Sequence, residues 1–327
     1  MPLMPRMPLK LILMGTGEFA IPPFQALLES EYSIAAVLTQ PDRTGRGHHH
    51  HVNPVKEMAA ARGVPVFQPE RVNRAEMLET LRSLQADAFI VAAYGQILKP
   101  ELLAIPRLGA FNLHGSLLPG HRGAAPVQYS IWKGDRETGV TIFRIEPALD
   151  SGPMVGRVVT TIGDTETSGE LMLRLAQLSV PLTLSVVQQL AEGTALFEEQ
   201  DVSQVTLAPK IPREAGFIDW SLSSREVDCH IRAMQPWPKA STLLKRADHP
   251  ALRVIIQQVG TTNEATLPSL PSETGLLTEV QGRPFVSTRD SWVEILRIQP
   301  EGRKSVDGRS FVNGYPLIPG DRFLKES

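Results

Sequence analysis

The chain has 327 residues, enough for two domains that each bury a core of their own. With 42% hydrophobic, 21% charged and 6% aromatic residues it lies far from disordered or collagen-like compositions, so a folded enzyme is the starting expectation. The single cysteine, Cys229, excludes an intrachain disulfide framework, and no run of about 18 apolar residues marks a membrane span, so a cytoplasmic setting is expected.

The formal net charge is −2: residues 1–205 hold 17 Lys+Arg against 21 Asp+Glu and residues 206–327 hold 16 against 14, so the halves stand at −4 and +2. That asymmetry permits a nucleic-acid partner without establishing one. The opening MPLMPRMPLKLILMG runs straight into an apolar strand with no small-residue cleavage site, which argues against a signal peptide.

Strands and helices then alternate. LKLILMG (Leu9 to Gly15) and SIAAVLTQ (Ser33 to Gln40) are short apolar runs ended by turn residues, as buried parallel strands are. EFAIPPFQALLES between them reads as a helix with prolines near its start, where a missing N–H is tolerated. In NPVKEMAAARG, Asn53 is the expected N-cap, Pro54 the first helical residue and Gly63 the stop. PVFQ, a helix around Ala75 to Leu84, AFIVAAYG (Ala88 to Gly95) and GAFNLHG (Gly109 to Gly115) continue the βαβ pattern, which implies a mostly parallel sheet with helices on both faces.

From Val140 the runs VTIFRI and PMVGRVVTTI predict a hairpin at the sheet edge, and a long helical pattern from Ser168 to Glu192 follows. The chain turns polar after Gly193. A linker is expected over 195–213, between a first domain, 1–194, and a second, 214–327. The second opens with a helix, Ser224 to Met234, and then shows short runs (LRVIIQQV, TGLLTEV, PFVST, WVEILRIQP) with the rhythm of a small β-barrel or sandwich.

Four constellations carry chemistry. GTGEFA (Gly15 to Ala20) fits the glycine turn of a dinucleotide site, but the second strand ends in Gln40 with no acid to bind a ribose, so tight packing is the better explanation of the glycines. His48 to His51 lie in a loop with Arg43, Gly45, Arg46 and Gly47. Adjacent imidazoles lack the fixed spacing of a metal site, which leaves adventitious metal binding or a basic loop that touches phosphates, and no metal is expected. In FNLHGSLLPGHRGAAP (Phe111 to Pro126), Asn112 and His114 stand two apart on a strand and share a face at its carboxyl end, where open α/β sheets bind ligands. The plainer reading makes Asn112 a turn former and His114 a core histidine. Asp150, in ALDSGPM, is either a turn residue or the partner that orients His114, raises its pKa and accepts a proton.

Taken together, LILMGTGEFA, VLTQPDRTGRG, AAYGQIL, FNLHGSLLPGHRGAAP, GDRETGVTIF, LDSGPM, IDWSLS and CHIRAMQPWPKA closely resemble the bacterial methionyl-tRNA formyltransferases over nearly the whole chain. The resemblance implies a Rossmann-like formyltransferase domain that binds 10-formyltetrahydrofolate, followed by an OB-like C-terminal barrel that helps hold initiator methionyl-tRNA. By position it assigns Asn112, His114 and Asp150 to catalysis, and Ser116, Leu117, Leu118 and Pro119 to the folate. It further assigns Tyr94, Gly95, Gln96 and Ile97 to the pterin pocket and Arg46 to a tRNA contact. The implied reaction has an uncharged amine attack the formyl carbon, with Asn112 and a protonated His114 holding the oxyanion and Asp150 taking the amine proton.

Two departures stand out. Relatives often carry lysines where this chain has His48 to His51, and an arginine and a tryptophan where it has Gly120 and His121. A monomer without membrane attachment is expected. The rival readings are a formyltransferase for a sugar nucleotide or another small amine, and a non-catalytic tRNA-binding protein.

Overall fold

The computed structural model describes residues 8–42, 53–247, 249–261 and 267–325. The chain divides into two compact units: one of residues 1–126, 137–161 and 172–209, the other of 127–136, 162–171 and 210–327.

The first unit is built on strands β1 (Lys10–Gly15), β2 (Ser33–Leu38), β3 (Val66–Phe67), β4 (Ala88–Ala92), β5 (Gly109–His114), β6 (Glu137–Arg144) and β7 (Met154–Thr161), in the spatial order β3-β2-β1-β4-β5-β6-β7. The first five are parallel, and β6 and β7 add an antiparallel hairpin at one edge, as the texture change near Val140 predicts. All five residues of β4 are buried, which explains why it reads as an unbroken apolar run. The order reverses at β1, so the crevice outside the carboxyl ends of β1, β4 and β5 is where a sheet of this kind receives a ligand.

In the chain these strands are connected by helices α1 (Ile21–Leu28), α2 (Pro54–Ala61), α3 (Ala75–Ser83), α4 (Pro100–Leu103) and α5 (Pro126–Trp132), the last lying almost wholly in the second unit, and β7 is followed by α6 (Ser168–Glu192). The signals read for α2 hold in detail: the Asn53 side chain accepts the Lys56 N–H, Pro54 is the first helical residue, and Gly63 adopts φ 67°. The four-residue α4 and the seven-residue α5 are too short to leave a clear periodic pattern in the sequence. α6 has the predicted bounds and is long and apolar enough to cross a membrane, though Gln177, Ser179, Thr183 and Ser185 interrupt it. Leu171, Leu175, Ala176 and Val187 on its inner side are fully buried.

The first βα turn is explained by steric fit. A Cβ on Gly15 would lie 2.6 Å from Phe24 Cε2, 2.8 Å from the Ala92 carbonyl oxygen and 2.9 Å from Ala20 Cβ. The oxygen belongs to β4 backbone and cannot retreat, so Gly15→Ala is expected to destabilise the protein by roughly 1–3 kcal/mol, visible as a lowered Tm with the secondary structure retained.

The second unit opens with α7 (Ser224–Ala233), started by a reciprocal capping box between Ser223 and Glu226. Strands β8 (Ser241–Arg246), β9 (His249–Thr261), β10 (Leu277–Val280), β11 (Arg283–Ser287), β12 (Trp292–Pro300) and β13 (Val306–Asp307) follow, then α8 (Gly308–Gly314) and β14 (Arg322–Leu324). The order β10-β11-β12-β9-β8-β14 nearly closes on itself, because Leu276 bridges Arg322 and the Phe323 N–H donates to the Gly275 carbonyl at 2.7 Å. Gly275 sits at φ 81° at this seam, where a Cβ would come within 2.4 Å of the Phe323 carbonyl oxygen. The alternating runs read from the sequence are four of these strands. β8 and β14, which complete the barrel, were not foreseen.

Candidate active site

β5 carries Asn112 and His114 on one face, and its register against β4 (Val91↔Asn112) and β6 (His114↔Thr141) sets them at the carboxyl end of the central strands. Asn112 is partly exposed, whereas only 4% of His114 remains accessible. The imidazole meets the Phe143 ring edge-on, with centroids 6.2 Å apart, which fixes its plane.

Beyond β5 the chain folds back on itself. The Ser116 hydroxyl donates to the Gly120 carbonyl at 2.7 Å, and Thr141 Oγ1 donates to the Ser116 carbonyl while accepting the Leu118 N–H. The Leu118–Pro119 peptide is cis and His121 adopts φ 59°. This return brings the His121 carbonyl 2.9 Å from His114 Nε2. A carbonyl only accepts, so Nε2 carries the hydrogen and, in the neutral ring, Nδ1 is left with a free lone pair.

That lone pair faces Asp150. Its carboxylate Oδ2 lies 3.8 Å from His114 Nδ1 and accepts the Gly123 N–H at 2.8 Å. Asp150 stands in the β6–β7 connection in a left-handed conformation, φ 45°. The structure thus brings Asn112, His114 and Asp150 to one place, which the sequence could not do. It also corrects the expected electrostatics. Asp150 pulls the imidazole pKa upward, but burial pushes it down more strongly, and the net direction is below the ordinary 6.5. The resting ring is neutral rather than protonated.

The same cause acts on His230 in the second unit, whose Nε2 donates to the Ala215 carbonyl at 2.6 Å and whose pKa is also lowered by burial. Both rings are neutral when folded, while the unfolded chain protonates below about pH 6.5. Stability is therefore fully present above that pH and is lost as pH falls toward the folded-state values, by at most about 1.4 kcal/mol per pH unit per histidine. Urea unfolding between pH 7 and 5 measures this, and a flat profile would contradict neutral burial.

The remaining sequence candidates are placed as follows. Ser116 and Leu118 are buried, with Leu117 and Pro119 partly exposed beside them. After β4, Tyr94 turns inward against Val72, Leu98 and Leu102, and burial pushes its phenol pKa upward. Gln96 is committed to the Val72 N–H and the Pro69 carbonyl. That loop exposes Ala93, Gly95 at φ 79° and the side chain of Ile97. Arg46 and His48 to His51 lie outside the described residues. Sequence reasoning missed Arg122, Thr141, Gln200 and Thr206, all of which brace this site. Nothing in the sequence near 200 signals it, because that segment holds only isolated β-bridges and a three-residue 3-10 turn, too short to leave a periodic pattern.

The sequence profile of the formyl transferase family matches residues 9–187, and that of the formyl transferase C-terminal domain matches 210–316. The chain is 41% identical to the methionyl-tRNA formyltransferase of Rhodopirellula baltica over 332 aligned residues, covering 97% of each. The chain belongs to the methionyl-tRNA formyltransferase family. It is also 38% identical to the Solibacter usitatus methionyl-tRNA formyltransferase over 96% of this chain and 98% of that one. Among solved structures it shares its fold with WlaRD, a sugar 3N-formyl transferase solved in the presence of dTDP and 5-N-formyl-THF. The TM-score is 0.65 at 17% identity, covering 90% of this chain and 99% of that one.

Proposed function

We propose that this protein transfers the formyl group of 10-formyltetrahydrofolate to the α-amine of initiator methionyl-tRNA, giving the formylated tRNA for translation initiation. The observation that carries the reading is the match to relatives of that name over nearly the full length of both chains. Along the chain we assign 1–194 to the catalytic domain, 195–213 to the linker and 214–327 to the OB-like domain that holds tRNA, although by packing 195–209 goes with the first unit and 127–136 and 162–171 go with the second. We place the reaction in the cytoplasm and assign the protein as a monomer.

The donor supplies an electrophilic formyl carbon. It fits the return formed by Ser116, Leu117, Leu118 and Pro119, where apolar surface lies beside backbone already tied down by Ser116 and Thr141. The backbone around Gly95 offers polar groups to a pterin, with Tyr94 and Gln96 bracing that loop from within. As the amine adds to the formyl carbon, negative charge gathers on the formyl oxygen. The Asn112 amide is the donor that meets it, a contribution typically worth about 10² to 10³ in rate. The neutral His114 takes the amine proton at Nδ1 while Nε2–H stays on the His121 carbonyl. Asp150 stabilises the imidazolium from 3.8 Å, and as the tetrahedral adduct collapses and its C–N10 bond breaks, His114 Nδ1 returns that proton to N10 of the departing tetrahydrofolate. The proton is held by His114, a role the sequence reading gave to Asp150.

Formyl transfer to charged initiator tRNA, run beside an amino-sugar nucleotide, tests the acceptor. Turnover of the sugar alone would overturn the proposal, and tRNA binding with no transfer would favour the non-catalytic alternative. Arg46 is assigned to a tRNA phosphate. Arg46→Ala is expected to weaken tRNA binding and reduce the salt slope of log K by about one contact's worth, roughly 0.7 to 0.9, in a titration from 50 to 200 mM salt.

A further inference from the structure

Asp150 is not a glycine, yet its backbone stands at φ 45°. A left-handed conformation costs most L-residues roughly 1–3 kcal/mol, and although Asp tolerates it better than most, its surroundings hold it there. The side chain that imposes it here comes from fifty residues downstream. Gln200 Nε2 donates to the Asp150 carbonyl at 2.9 Å and to the Gly152 carbonyl at 2.8 Å, so one amide clamps both ends of the turn. Its Oε1 accepts from Arg122 Nε at 3.1 Å and from a terminal Arg122 nitrogen at 2.7 Å. Both donors and both lone pairs of the amide are thereby used.

These bonds close a ring. Gln200 holds Arg122; the next residue, Gly123, gives its N–H to the Asp150 carboxylate; and Gln200 holds the Asp150 backbone. Gln200 is 8% exposed, where hydrogen bonds are stronger and an unmade one is costly. Its own position is fixed from both sides. Glu198 exchanges two backbone hydrogen bonds of 2.8 Å with Met154. The Thr206 carbonyl accepts the Arg122 N–H at 2.9 Å, and Thr206 Oγ1 accepts the His121 N–H at 2.8 Å. The segment is thus tied to β7 on one side and to the His121 loop on the other.

We propose that Gln200 is a positioning residue for formyl transfer: it sets the Asp150 turn, and through Arg122 the Gly123 N–H, so that the carboxylate faces His114 Nδ1. This rests on the catalytic reading of Asp150 given above. The Arg122 guanidinium is held on the Gln200 oxygen, which orients the loop while the Asp150 charge remains directed at the imidazole.

Two variants separate positioning from mere stability. Gln200→Glu keeps an acceptor for Arg122 but loses both donors and sets a carboxylate against two carbonyls, and Gln200→Met keeps the volume and removes every hydrogen bond. Each is expected to lower kcat by about 10- to 100-fold, the scale of a misplaced catalytic group. KM for 10-formyltetrahydrofolate and for charged tRNA should stay within about twofold, because the Gln200 amide spends all its hydrogen bonds within the protein. Combined with Asp150→Asn, the loss should be strongly non-additive, since Gln200 acts only through Asp150. Thermal unfolding of each variant comes first.

Wild-type kcat in a folded variant, a loss confined to KM, or full additivity with Asp150→Asn would each overturn the inference. Loss of the fold in both variants would assign Gln200 to stability and overturn it as well. If Asp150→Asn alone kept wild-type turnover, the catalytic reading itself would be at fault. If Asp150→Asn were impaired and the Gln200 variants were not, only the inference would fall.

Discussion

Asp150→Asn is expected to lower kcat by about 10² to 10⁴ at saturating donor and charged tRNA, with little change in either KM. Asparagine is nearly the same size and its Oδ1 can still accept the Gly123 N–H, so the turn is kept and only the charge disappears. What is lost is the anion that stabilises His114 once Nδ1 holds the amine proton. Asp150 also holds the imidazole pKa up against burial, so its removal lets that pKa fall further, and the acid limb of kcat moves to lower pH. His114→Asn should show a loss of similar size. The double variant should be little worse than either single one, because the pair acts as a unit. Wild-type turnover in Asp150→Asn would end the assignment of both residues.

Gly123→Ala is expected to damage both stability and turnover. Gly123 adopts φ 130°, a conformation closed to an alanine without strain of roughly 1–3 kcal/mol. The new Cβ would lie 2.5 Å from the Ala208 carbonyl oxygen and 2.9 Å from its carbon. Neither can move away, because the Ala208 N–H donates to the Arg122 carbonyl at 2.7 Å and the Ala208 carbonyl accepts the Ala125 N–H at 3.1 Å. Overpacking against fixed backbone adds a cost of similar size. Tm should fall by on the order of 10 °C. The residual folded enzyme should also turn over slowly, because a displaced Gly123 N–H releases the Asp150 carboxylate. An alanine variant with unchanged Tm would show that Ala208 yields, against the hydrogen bonds that hold it.

The two neighbouring departures from family usage, Gly120 and His121, take on a structural meaning at this point. Both act through backbone oxygens: the Gly120 carbonyl receives the Ser116 hydroxyl and the His121 carbonyl receives His114 Nε2. Side-chain identity can vary there while the return of the chain is kept, provided the left-handed φ of 59° at position 121 is tolerated.

The sequence by itself determined the local elements and the chemical inventory. Period-two and unbroken apolar runs marked the strands, caps and prolines marked α2, and the motif around Asn112 and His114 marked the face of β5 on which chemistry sits. These signals are legible because each depends on a few adjacent residues. Short elements were missed for the same reason: α4 and α5 have too few residues to show a period, and β14 spans only three. The meeting of His114 and Asp150, thirty-six positions apart, and the arrival of Gln200 fifty residues later depend on contacts that no window of sequence contains.

The protonation of His114 was decided in the same way. A nearby aspartate suggests a raised pKa, but whether desolvation outweighs it depends on how completely Phe143 and the returning loop exclude water, and that follows only from the packed chain. Composition and motif therefore specified which groups take part. Tertiary structure decided which nitrogen is free and which charge it faces, because burial and long-range hydrogen bonds exist only once the chain has closed on itself.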